Sequence, residues 1–321
     1  MKSRTSVAIF VTVVVLTACG GAPQPDADDG FKVVATTNIV ADLVRTVGGP
    51  DVEVEALMGP GIDPHLYKAS AGDVRRMSSA EAIFYSGIHL EGKMSEVLES
   101  IGERGTVTVA VAECVPEEQL IESTGFSGLH DPHVWFDVAL WSQALECVSE
   151  TLAALDPGRA EGYRERAARY GEELRELDAW VRERMNVLAP EQRVLVTAHD
   201  AFGYFGRAYG FEVRGLLGVS TASEASTADV QELAEFIVDR QIPGIFVETS
   251  VPPRYVEALQ EAVRARGFAV EIGGSLYSDS LGDVDTPAGT YVGTVRANVE
   301  AIVTALAVVP VSRGESEDEH G

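Results

Sequence analysis

Positive charge is what this chain has least of. Its 321 residues carry 25 Lys and Arg against 50 Asp and Glu, a formal net charge of −25 at pH 7. A nucleic-acid binder needs a basic footprint to displace counterions, so nucleic acid is excluded as a partner. Charge-driven docking on an anionic bilayer is excluded for the same reason. Cysteine is sparse as well: Cys19, Cys114 and Cys147 are too few for a disulfide scaffold. Sequence spacing leaves open whether Cys114 and Cys147 pair or stay as two buried thiols, because a bridge depends on Cα separation in space. Neither a P-loop nor a His-Glu-x-x-His zinc-hydrolase motif occurs. Apolar residues make up 45% and charged ones 23%, which places the chain among globular proteins and away from disordered ones.

Long apolar runs are confined to the N-terminus, MKSRTSVAIFVTVVVLTAC. Lys2 and Arg4 precede an apolar stretch over 7–16, too short for a membrane span of about 20 residues. Leu16-Thr17-Ala18-Cys19 follows in the order expected of a lipobox. The reading is a lipoprotein signal peptide over 1–18 and a lipidated Cys19, which tethers the chain to the membrane by acyl chains and not by charge. A plain secretory signal with an incidental cysteine is the alternative. The expected location is the extracytoplasmic face of the cell membrane. Residues 19–30, rich in Gly, Pro and Asp, read as a flexible spacer. Residues 311–321 read as an acidic tail.

Between these ends, short apolar runs alternate with amphipathic stretches. Strands are expected over 31–36, 52–57, 82–86 and 107–111, and again over 193–197, 211–216, 244–248 and 269–272. Helices are expected over 39–47, 71–79, 94–101, 201–209, 227–239, 254–266 and 290–306. This alternation predicts an α/β fold with parallel-type sheets in two lobes, 31–156 and 189–310. Over 157–188, Tyr163, Tyr170, Leu174, Leu177, Val181, Met185 and Leu188 recur at helical spacing opposite a face of Arg and Glu. That pattern predicts one long rigid helix joining the lobes. Two shorter helices broken near Gly171 are the alternative, although a lone glycine costs only about 1 kcal/mol against alanine.

Six histidines carry what chemistry the sequence offers. His65 lies in the Pro-stiffened loop GPGIDPHLY, His133 in DPHVWFD, and His199 at the end of a strand. Open α/β sheets bind ligands at the carboxyl ends of their strands. Three neutral imidazoles converging there suit a borderline cation such as Zn²⁺. Asp279, in GGSLYSDSLGD, stands just past the last strand and offers a fourth ligand. By spacing alone the constellation is no more than an even candidate, since clustered His and Asp mark sites only statistically. Glu248 closes the strand over 244–248, where it can orient a ligand histidine from behind or face water.

GPGIDPHLY, DPHVWFD, TAHDAFGYFGRAYGFEVRGLLGVSTASEAS and GGSLYSDSLGD together resemble the cluster A-I solute-binding lipoproteins of zinc and manganese ABC importers, the TroA-like receptors. The resemblance extends from Phe31 to about Leu306. It implies two α/β lobes on a backbone helix, one metal buried between them, and no enzymatic activity. By motif, the implied ligands are His65, His133, His199 and Asp279. The implied partners are an ABC permease and its ATPase, with the receptor acting as a monomer. Zn²⁺ is the expected cargo, with Mn²⁺ or a manganese-specific receptor as the alternative. A third histidine leans to zinc in this family, whereas the His-rich loop of dedicated zinc members is missing. The resemblance makes His89 structural, places His130 near the site entrance without direct ligation, and leaves His320 exposed. A metal-dependent surface adhesin is the remaining alternative.

Overall fold

A computed structural model describes residues 31–123 and 129–307; the lipobox with Cys19, the spacer and the acidic tail with His320 lie outside the described residues. The N-terminal lobe begins with strand β1 (Phe31–Ala35), helix α1 (Asn38–Gly48), β2 (Val52–Ala56), α2 (Ala71–Ser79), β3 (Ala82–Tyr85), α3 (Ser95–Glu103) and β4 (Val107–Ala110). Its four strands form one parallel sheet in the order β2-β1-β3-β4. Parallel strands run their carboxyl ends to one edge, so the loops after β1, β2 and β3 gather on the same side.

Helix α4 (Val138–Leu155) follows, and then α5 (Ala160–Met185). Helix α4 is not among the helices expected from the sequence, although its apolar residues are periodic. Val138, Trp141, Leu145, Val148 and Leu152 recur on one buried face, flanked by Leu140, Ala144 and Ala153, while Ala139, Glu146, Glu150 and Ala154 are exposed on the opposite face. Its start is fixed by Asp137, whose carboxylate accepts the amides of Ala139 and Leu140.

Helix α5 runs unbroken through Gly171 for 26 residues, about 39 Å at 1.5 Å per residue. Tyr163, Tyr170, Leu174, Leu177, Val181 and Met185 form its buried face. Burial of each of the Leu and Val side chains contributes about 1.5–3 kcal/mol. Arg166 clasps the end of α1, donating to the carbonyls of Val47 and Gly48 and to Asp51. One apolar core extends from β1, β3 and α1 through α4 and α5 to Phe202, Phe246 and Val299 of the second lobe.

The C-terminal lobe contains β5 (Val194–His199), α6 (Gly203–Tyr209), β6 (Glu212–Leu217), α7 (Thr227–Asp239), β7 (Gly244–Glu248), α8 (Arg254–Arg264), β8 (Glu271–Leu276) and α9 (Tyr291–Leu306). β5 pairs with β6 and β7 with β8, both in parallel, and β5 lies alongside β7. Several boundaries differ from expectation by one to four residues, and two of them bear on the site and the packing. His199 is the last residue of β5, and α6 begins only at Gly203. The last strand lies later than 269–272, at Glu271–Leu276, and includes Gly273 and Gly274. Gly273 is required there by close packing: a Cβ would come within 2.4 Å of the Ala305 Cβ on α9.

The disulfide that the sequence left open is formed. Cys114 and Cys147 are bonded, with Cα atoms 6.2 Å apart, tying the segment after β4 to α4.

Candidate metal centre

Four side chains from four different loops or strand ends meet where the lobes touch. His65 comes from the loop after β2, and His133 from the segment leading into α4. His199 closes β5, and Asp279 follows β8. One ligand atom from each lies within 4.8 Å of all the others, and all four residues are buried. The Nε2 atoms of His133 and His199 are 3.4 Å apart. Asp279 places Oδ1 at 3.4 Å from His133 Nε2 and Oδ2 at 3.3 Å from His199 Nε2. A tetrahedral ion with bonds near 2.05 Å needs ligand atoms about 3.3 Å apart, so these separations already suit a small cation. His65 Nε2 and Asp279 Oδ1 are buried with no hydrogen-bond partner. Buried polar atoms rarely go unsatisfied, and both of these belong to the four-residue cluster.

Local chemistry explains how two of the ligands are held. The sequence uses Asp-Pro-His twice, at 63–65 and 131–133. In each case the aspartate Oδ1 accepts the backbone N–H of the histidine two residues on, at 2.9 Å. This is an Asx turn with φ of the intervening proline fixed. The two copies then diverge. Asp131 Oδ1 also lies 2.7 Å from His133 Nδ1. Asp63 instead turns Oδ2 across to the second lobe, where it accepts the Thr221 hydroxyl at 2.6 Å. Neither aspartate was singled out from sequence; the repeated Asp-Pro-His was the signal available.

Glu248 settles behind His199. It lies 2.5 Å from His199 Nδ1 and accepts the His199 amide at 2.8 Å, and it is buried. Of the two sequence alternatives, the water-facing carboxylate is therefore not what the structure shows. A carboxylate on the outer nitrogen of an imidazole fixes its tautomer and turns Nε2 inward. His133 and His199 each have one, and His65 has none.

That asymmetry sets the proton affinities. Burial pulls His65 down to about 3, although Asp279 opposes it. Burial also disfavours charge on His133, but Asp131 and Asp279 outweigh it and push the imidazole up to about 9. On His199 the same desolvation is outweighed by Asp279 and Glu248, which hold it well above the usual value. Burial would raise Asp279, yet His199 and His133 hold it well below the ordinary carboxylate range.

The other two described histidines lie outside the cluster. His130 is half-buried and His89 is exposed. Both line a cavity that His65 also lines. His130 is therefore near the ligand cluster but not in it. His89, expected to be structural, lies at the same opening.

This geometry has close counterparts. The family described as "Zinc-uptake complex component A periplasmic" (ZnuA) matches residues 33–305. The chain belongs to that family. It is 52% identical over 290 residues to the zinc-binding protein TroA of Treponema pallidum, covering 89% of this chain and 92% of that protein. It is 44% identical over 307 residues to the manganese-binding lipoprotein MntA of Bacillus subtilis, covering 95% and 100%. The solved structure of the periplasmic zinc-binding protein TroA from Treponema pallidum superposes with a TM-score of 0.84 over 87% of this chain and all of that one. The two-lobed α/β architecture with a long connecting helix is thus the family's fold.

Proposed function

We propose that this chain is the extracytoplasmic receptor of an ABC importer, capturing Zn²⁺ between its lobes and delivering it to a membrane permease driven by an ATPase. His65, His133, His199 and Asp279 are the ligands, and Glu248 and Asp131 orient His199 and His133. The observation that carries this reading is the buried cluster of three imidazoles and one carboxylate with ligand atoms within 4.8 Å of one another, and with His65 Nε2 and Asp279 Oδ1 unpartnered. Relatives named for zinc and for manganese support the cation class. The ligand set favours Zn²⁺, because imidazole suits it and zinc outcompetes manganese at most mixed N/O sites. Mn²⁺ is the second cargo, favoured by the 44% identical manganese-binding relative.

Among the described residues no helix is long and apolar enough to cross a membrane. A lipidated Cys19 supplies the anchor in this reading, with 19–30 as spacer and lobes over 31–156 and 189–310 joined by 157–188. The protein works as a monomer. A zinc hydrolase needs an open coordination position and a free general base. Here four side chains face the cation, and Glu248 is engaged by His199.

Competition calorimetry on metal-stripped protein tests the reading. Zn²⁺ should bind tighter than Mn²⁺, and His199→Ala should weaken Zn²⁺ strongly while the circular dichroism spectrum is kept. Unchanged affinity in that variant would count against the ligand assignment.

A further inference from the structure

All five described histidines lie at the metal cluster or at one opening beside it. Three form the cluster. The remaining two, His89 and His130, line a cavity of about 180 Å³ together with His65, Ser123 and Ser220. His65 joins the two groups: it is 4% exposed, it lines the cavity, and its Nε2 has no partner.

Each rim histidine stands on a backbone held from behind. Gly87, Ile88 and His89 all have positive φ, at 85°, 50° and 61°. Two consecutive side-chain-bearing residues rarely adopt this region, and for β-branched Ile88 it is a true outlier. The buried Glu91 carboxylate holds the turn, accepting the amides of Ser86 and Gly87 and the Thr36 hydroxyl. On the facing wall, His130 bridges Glu122 in antiparallel fashion. Tyr204 locks that pair of segments, accepting the Ile121 amide and donating to the Asp131 carbonyl.

We propose that His89 and His130 line an entry path on which a borderline divalent cation meets a rim imidazole before it passes inward to His65. This rests on the receptor reading above. A single rim imidazole binds such a cation weakly, and the four-residue cluster behind it binds it tightly, so transfer runs inward. His65 is the natural first acceptor because it lines the cavity and its buried Nε2 has no partner.

An entry path speeds passage in both directions and leaves the end states alone. Stopped-flow mixing of metal-stripped protein with Zn²⁺ tests this, read by tryptophan emission because Trp135 packs on His133 with ring centroids 5.2 Å apart. The double variant His89→Asn, His130→Gln keeps a residue that tolerates positive φ at 89. It should slow Zn²⁺ association and dissociation alike, by about tenfold, a shift within the usual range for variants of one binding site. The equilibrium affinity stays within about twofold of wild type by the same balance of rates. Mn²⁺, which prefers oxygen ligands, should be slowed far less. Unchanged Zn²⁺ rates would overturn the proposal, as would equal slowing of Mn²⁺. Weaker equilibrium binding at unchanged association would also overturn it, by making these residues ligands of the final site. Wild-type protein that binds no Zn²⁺ would instead sink the receptor reading itself. Each single variant, checked for its thermal midpoint, repeats the test should the double variant fail to fold.

Discussion

Metal binding should expel protons from this site, and the number is legible from the pairing of its imidazoles. Without metal at pH 7, His133 is pushed up to about 9 and is almost fully protonated; His199 is held higher than usual by Asp279 and Glu248. His65, pulled down to about 3, and Asp279, held well below its ordinary range, carry no proton to lose. A coordinating imidazole must be neutral. Binding therefore releases two protons, one each from His133 and His199. The affinity should rise about 100-fold per pH unit around neutrality, about 3 kcal/mol, since one proton per pH unit is worth about 1.4 kcal/mol. The dependence flattens as pH passes through about 9, where His133 is already neutral. Burial also pushes up the carboxyls of Asp63 and Asp200, which interact with this cluster; a cation bound nearby favours their ionised form, so they steepen the slope at its acid end. Calorimetry in buffers of different ionisation enthalpy counts the protons directly. A binding enthalpy independent of the buffer would refute the reasoning, because it would show both imidazoles neutral before metal arrives. The metal-free fold carries the opposite sign. A His133 pKa raised above its unfolded value stabilises the fold fully below about pH 6.5, and that contribution fades as pH rises towards 9.

Removing the carboxylates behind the ligands should loosen the cation without removing a ligand: Glu248→Ala and Asp131→Ala should each weaken Zn²⁺ by about 10–100-fold, measured by chelator competition. Affinity equal to wild type in both would deny them a positioning role. The disulfide closes a loop over a separation of 33 residues, for which chain entropy predicts about 3–4 kcal/mol. Cys114→Ser with Cys147→Ser should therefore lower the thermal midpoint by on the order of 10 °C, seen by scanning calorimetry. Zn²⁺ affinity should be unchanged, since neither cysteine lies in the cluster; a coupled loss of affinity would refute that separation.

Much of the candidate site lay open in the sequence because His65, His199 and Asp279 close or follow strands, and alternating apolar runs reveal where strands end. His65, His133, His199 and Asp279 were identifiable from that pattern and from the motifs around them. Helix α5 was equally legible, since one of its faces meets solvent and the resulting stripe of Tyr, Leu and Val has a period. Helix α4 carries such a stripe too, at Val138, Trp141, Leu145, Val148 and Leu152, and was not among the expected helices.

The sequence by itself determined the residue types, the lobes and the spanning helix, because local periodicity and turn chemistry are encoded within a few residues. Tertiary structure alone decided which carboxylate stands behind which imidazole. Asp131 and Asp63 occupy the same place in the same tripeptide, yet one bonds an imidazole and the other reaches Thr221 in the opposite lobe. The pairing of Glu248 with His199 spans 49 residues, and the disulfide joins segments 33 apart. Proton affinity depends on such distances and on burial, and neither quantity exists until the lobes are folded against each other.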